Sequence, residues 1–103
     1  MILYNVTINV EDGLHDEWLE WMVNEHIPKV MKTGMFLSNK IFRIISRLAE
    51  ETGTTYSFQY FANSIEDYEI YRTVYSPVLQ QESLERFGEE YLPLAFRTVL
   101  EEV

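Results

Sequence analysis

Hydrophobic and polar residues alternate from the first residues of the chain. Ile2, Tyr4, Val6, Ile8 and Val10 share one parity, and Leu3, Asn5, Thr7 and Asn9 share the other. A period of two sends the parities to opposite sides of an extended backbone, so this stretch predicts a strand with one dry face. After Glu11-Asp12-Gly13 the period lengthens. Wound at about 100° per residue, Leu14, Trp18, Leu19, Trp21, Met22 and Val23 fill one arc, while Asp16, Glu17, Glu20 and Asn24 fill the other. That is an amphipathic helix. Pro28 lacks an N–H and disfavours helical backbone at Ile27, which predicts a break there, with a short further turn running to Gly34.

Phe36 to Leu48 reads as a long strand with Phe42, Ile44 and Leu48 on one face and Ile41, Arg43, Ile45 and Arg47 on the other. The turn Glu50-Glu51-Thr52-Gly53 then leads into Thr54 to Ala62, where Tyr56, Phe58, Tyr60 and Ala62 alternate with Thr55, Ser57, Gln59 and Phe61, predicting an antiparallel hairpin. Ser64 suits a helix cap, with Asp67 in the first turn. Ile65, Tyr68, Ile70, Tyr71, Val74 and Tyr75 give that helix its apolar side. Ser76-Pro77 ends it and starts another, which carries Leu79, Leu84 and Phe87 and stops at Gly88. Beyond Pro93, Leu94 to Val103 alternates as a last strand, with Phe96, Thr98 and Leu100 opposite Arg97, Val99 and Glu101.

The order of elements predicts an α+β, ferredoxin-like βαββαβ fold: one domain over residues 1–103, a four-stranded antiparallel sheet and helices on one face. Alternation then assigns Leu3, Ile41, Arg43, Ile45, Phe61, Arg97 and Val99, among polar neighbours, to the uncovered face. That mixture is too apolar for a solvated surface, and with strands that would leave open edges it predicts a homodimer.

Composition narrows the function. Of the 103 residues 47% are hydrophobic and 15% aromatic, against disorder. A formal net charge of −9 opposes nucleic-acid binding. No apolar run approaches the ~20 residues that span a bilayer, so no membrane association is expected. The alternating start has no signal-peptide character, and the absence of cysteine fits a reducing compartment; the cytoplasm is the expected location. His15 and His26 fall in one helical arc but roughly 16 Å apart, too far to share a metal. Neither a metal nor any other cofactor is expected.

The strand YNVTINV, the helix WLEWM, the motif EHIPKVMKTGMF and the closing FRTVLEEV together resemble a family of small bacterial proteins described only as a domain of unknown function. More broadly the chain resembles the dimeric α+β barrel superfamily, in which two ferredoxin-like protomers press their sheets together around a central cavity. The superfamily includes cofactor-independent monooxygenases, isomerases, haem-handling proteins and proteins without known activity, so the resemblance implies a fold and a dimer but no reaction.

The chemistry-bearing residues gather around the end of the first helix. His26 titrates near neutrality and is the candidate acid–base group; a structural histidine tied to a backbone carbonyl is the alternative, and at a helix end its protonated form would favour the dipole. Trp18 and Met22 would form apolar walls, with Tyr4, Tyr56 and Tyr60 from the sheet. Arg43 and Arg97, with Arg47, suit an anion site across the uncovered face, or salt bridges between subunits. His15 with Asp16 reads as structural, and the acidic pairs at Glu50-Glu51, Glu89-Glu90 and Glu101-Glu102 as solvated charge. Two function classes follow: a small-molecule site near the broken helix or in the dimer barrel, and a structural or protein-interaction dimer without catalysis.

Overall fold

The computed structural model describes residues 1–46, 50–88 and 94–103, Leu94 by its backbone alone. Arg47, Leu48, Glu89-Glu90 and Pro93, which the sequence reading above uses, lie outside the described residues. The elements are β1 (Ile2–Val10), α1 (His15–Trp21), a π turn (Met22–His26), α2 (Ile27–Lys32), β2 (Ser38–Arg43), β3 (Thr54–Ala62), α3 (Ile65–Ile70), a second π turn (Tyr71–Tyr75), α4 (Ser76–Phe87) and β4 (Leu94–Glu101). The strands form one sheet in the order β2-β3-β1-β4, every neighbouring pair antiparallel. This is the ferredoxin-like βαββαβ arrangement.

The central strands behave as their alternation predicts. Ile2, Tyr4, Val6, Ile8 and Val10 are buried beside Ala62, Tyr60, Phe58 and Tyr56 of β3. Trp18 caps this layer, with 2% of its surface exposed and its ring edge-on to Phe58 at 5.7 Å. Phe36, expected to open the second strand, drops into the core, where its ring lies 4.9 Å from Tyr71 and 5.3 Å from Tyr60.

The outer strands present the opposite faces from those alternation suggests. In β4, Val99, Arg97 and Ala95 pair with Tyr4, Val6 and Ile8; in β2, Arg43 and Ile41 pair with Tyr56 and Phe58. Paired residues point to the same side of a sheet, so Arg43, Arg97, Ile41 and Val99 lie on the helix-covered face. Phe96, Thr98, Leu100 and Phe42 lie on the open one. Ile45, 81% exposed, falls beyond the end of β2. The reason is that both outer strands carry apolar residues at each parity, so register, not alternation, decides which set faces the core.

Pro28 does not break its helix. The backbone stays helical at Ile27 (φ −59°, ψ −44°), whose N–H reaches back five residues to the Met22 carbonyl. Before Pro77 the same device recurs: the Ser76 N–H bonds to the Tyr71 carbonyl. A π turn admits an extra residue into the ladder just where a proline brings no donor and would crowd a carbonyl of the preceding turn. Ser64 caps α3 by accepting from the Asp67 N–H at 3.3 Å. Of the apolar side expected on α3 and the second π turn, Tyr68 and Tyr71 are buried, while Ile65, Ile70 and Val74 are exposed.

Candidate functional site

Between the helices and the β1/β4 half of the sheet lies a solvent-open cavity of about 800 Å³. Its origin is in α4. Residues 76, 80, 83 and 84 follow one helical stripe, and here they are Ser76, Gln80, Ser83 and Leu84, three of them short or polar, all lining the cavity. Opposite them β4 contributes Ala95 and Arg97. Small and polar residues on both sides cannot close the space that Trp18 and Phe58 fill elsewhere.

Six of the residues singled out above line this cavity together: Tyr4, Trp18, Met22, His26, Tyr60 and Arg97. The two others do not. Tyr56 is buried toward the start of α1, where its hydroxyl lies 2.6 Å from His15 Nε2 while Asp16 Oδ1 sits 2.9 Å from Nδ1. Arg43 is exposed at the end of the short edge strand β2. His15 thus links a surface carboxylate to a buried phenol.

Arg97 reaches the cavity because β4 pairs with β1 so that it stands beside Val6. Its Nε donates to the Tyr4 hydroxyl at 3.2 Å. Burial pushes the Tyr4 phenol up from its ordinary pKa, against the lowering effect of Arg97. Tyr60 and Tyr71 are raised too, chiefly by burial, so all three remain protonated donors. On the α4 side Gln80 Nε2 donates to Ser76 Oγ at 2.9 Å, and a side-chain hydrogen bond joins Ser76 to Tyr71.

His26 comes from the π turn and stacks on Trp21, centroids 5.2 Å apart and planes 28° apart. Burial lowers its pKa to about 4, with Lys29 and Arg97 acting in the same direction and Glu82 against them. It is therefore neutral at physiological pH. This differs from the protonated, dipole-favoured histidine expected at a broken helix end, because the helix continues and the ring is desolvated. Nor is it a carbonyl-bound cap on the Nδ1 side: that nitrogen is buried and has no hydrogen-bond partner. Such an atom costs about 1–3 kcal/mol unless water or a ligand meets it.

All of residues 1–103 match the sequence profile of the family described as Domain of unknown function (DUF4286). The chain belongs to this family. No curated protein matches it in sequence. Among solved structures it is similar to an ethyl tert-butyl ether D (EthD) family protein from Bacillus halodurans, at 16% identity and a TM-score of 0.66 over the whole of both chains. It is also similar to protein Atu4242 from Agrobacterium tumefaciens, at 12% identity and a TM-score of 0.66, covering 100% of this chain and 94% of that one. A hydroxynitrile lyase from Passiflora edulis matches at 14% identity and a TM-score of 0.59, covering 99% and 95%. At these identities the likeness is one of fold, the α+β ferredoxin-like arrangement described above.

Sequence reasoning does not single out Ser76, Gln80 and Ser83, although their i, i+4, i+7 spacing was there to be read. A polar stripe on the inward side of a helix that also carries Leu79 and Phe87 is the signal. Among the described residues no three His, Cys, Asp or Glu side chains converge as a metal site, and no helix is long and apolar enough to cross a membrane.

Proposed function

We propose that this domain binds a small organic molecule in the cavity beneath α4. The observation that carries the reading is the unpartnered Nδ1 of a neutral His26 beside a cavity that also holds the Arg97–Tyr4 pair. The volume of about 800 Å³ falls within the range of sites for drug-sized ligands. A neutral imidazole with an unpartnered nitrogen exchanges a hydrogen bond with a bound molecule, and Arg97 with the phenols donates to its polar groups; this is a binding site with a few polar anchors. Trp18, Met22 and Tyr60 supply apolar wall.

The domain acts as a homodimer through its open sheet face. In a chain with 17 carboxylates, the four strands place none on that side. Phe96 is 69% exposed there, Phe42 50% and Leu100 45%. The polar residues between them already satisfy one another: Ser57 donates to Asn5, Asn5 donates to Thr7 at 3.0 Å, and Gln59 donates to Ser57 at 3.3 Å. A face without carboxylates in an acidic protein, its Lys40 lying at the edge strand over the Phe61 ring, suits a second copy of itself. This observation equally favours the second reading, an interaction module whose role is the dimer alone. An acidic, cysteine-free dimer of this kind fits the cytoplasm.

Two measurements test these readings. In a thermal-shift screen with small organic molecules the wild-type chain is stabilised by ligand, and Ser83→Phe, which fills the cavity from α4, removes the effect; a screen in which Ser83→Phe responds as the wild type does would place binding elsewhere. In light scattering the wild type has twice the monomer mass, and Phe96→Glu has the monomer mass. A wild type that is monomeric at micromolar concentration would end the dimer reading.

A further inference from the structure

The cavity carries a charge signature that runs against the rest of the molecule. The chain is strongly acidic, at −9, yet among the described residues no Asp or Glu lines the cavity, and Arg97 is the charged side chain that does. Among the described residues the ion pairs of Arg and Lys form elsewhere, at Glu17–Arg86, Lys29–Glu82 and Glu69–Arg72. Arg97 enters none of them. Its one hydrogen bond uses Nε, toward the neutral Tyr4 hydroxyl, which leaves both Nη groups without a partner among the described residues. A guanidinium so placed presents the planar fork that a carboxylate matches in two parallel bonds.

The other groups here sharpen the class. His26 carries no charge at neutral pH and the phenols remain protonated, so the site offers one positive charge ringed by neutral donors. That balances a single negative charge better than the nearly two of a phosphate monoester. Beyond the polar end, the buried rings of Trp18, Phe58, Tyr60 and Tyr71 close the cavity with a packed apolar floor, against which the apolar body of a ligand rests.

We propose that the ligand is a monocarboxylate with an apolar body, its carboxylate held by Arg97 next to Tyr4 and its body against this floor. The inference rests on the binding function proposed above for the same cavity and names the chemistry that the cavity selects.

The test is isothermal titration of the full chain with three matched pairs: benzoate and benzamide, 2-naphthoate and 2-naphthamide, indole-3-carboxylate and indole-3-carboxamide. Each pair differs in charge and hardly in shape. The wild type is expected to bind the better carboxylates about tenfold or more tightly than their amides, a charge-assisted bidentate contact against a neutral one. Arg97→Gln abolishes that preference and leaves amide affinity within about twofold, Arg97→Lys keeps part of it as a point charge without a fork, and a melting curve of each variant confirms that it is folded. Arg97 sits on an exposed strand position, so its replacement spares the core. Equal affinity for acid and amide in the wild type overturns the anion inference while the binding function stands. A carboxylate preference that survives Arg97→Gln overturns it as well, by placing the anion elsewhere. Failure of all six compounds to bind up to about 10 mM, a dissociation constant at which little binding energy remains, overturns this inference, and the thermal-shift screen then decides the binding function separately.

Discussion

The arm from His15 to Lys32 and the arm from Ile65 to Phe87 are built to the same plan: helix, π turn, proline, helix. They fill their inner faces differently. The first buries Trp18, Trp21 and Met22, whereas the second directs Ser76, Gln80 and Ser83 toward the cavity. The arms are tied to each other at their outer ends, by Trp21 edge-on to Phe87 at 5.3 Å and by the surface pairs Arg86–Glu17 and Lys29–Glu82 at 2.7 and 2.8 Å. Exposed ion pairs contribute little, so the aromatic contact is the firmer tie. The second arm still gives Tyr68, Tyr71, Leu79 and Phe87 to the core that the first arm fills, and this leaves part of its inner face free to carry a polar-lined space.

The most severe way to strain that comparison is to empty the filled arm. Trp18→Ala is expected to cost about 3–5 kcal/mol, the range for removing a large buried aromatic side chain, as measured by urea unfolding. A loss under about 1 kcal/mol would mean that the core does not depend on this arm.

Acid probes the junction of the two arms. His26 falls from its ordinary 6.5 to about 4 in the folded protein. Between those values the unfolded chain binds a proton that the folded chain refuses, so stability rises with pH across this window. It is fully present above 6.5 and is lost as pH falls toward 4. At about 1.4 kcal/mol per unit the loss is on the order of 3 kcal/mol. Carboxylates titrate in the same region, so the readout is the difference between the wild type and His26→Gln; parallel stability curves for the two would show that burial does not hold His26 neutral.

A smaller effect comes from making the open arm resemble the closed one. Ser83→Leu adds apolar bulk at a half-buried position facing empty space, and cavity filling of this kind gains about 0.5–2 kcal/mol. Ligand binding should weaken in the same variant. A variant that is destabilised instead would show that Ser83 is already closely packed.

Much of the fold was legible because the two central strands are flanked on both sides. Tyr4 and Tyr60, Val6 and Phe58, Ile8 and Tyr56 have no alternative to burial, and their alternation states it. The outer strands say less. Val99 and Leu100 are of nearly equal hydropathy at opposite parities, and Arg97 looks like a solvent residue from sequence alone; the pairing that seats it beside Val6 is a long-range fact. The Pro28 junction misleads for a different reason: proline chemistry predicts a problem for the helix but not whether a break or a π turn resolves it. Of the site, the ring and histidine side was readable from Trp18 to His26 because bulky residues mark themselves. The α4 side was not, since a cavity is made by what Ser76, Gln80 and Ser83 fail to fill.

The central claim is that the space between α4 and the β1/β4 half of the sheet receives a ligand, and backbone amide NMR of the labelled chain during titration with 2-naphthoate and 2-naphthamide tests it most directly. Shift changes concentrated at His26, from Tyr71 to Leu84 and at Ala95 to Arg97 are the predicted result. Changes confined to Phe42, Phe96 and Leu100 on the open face, or none at saturating ligand, would contradict it.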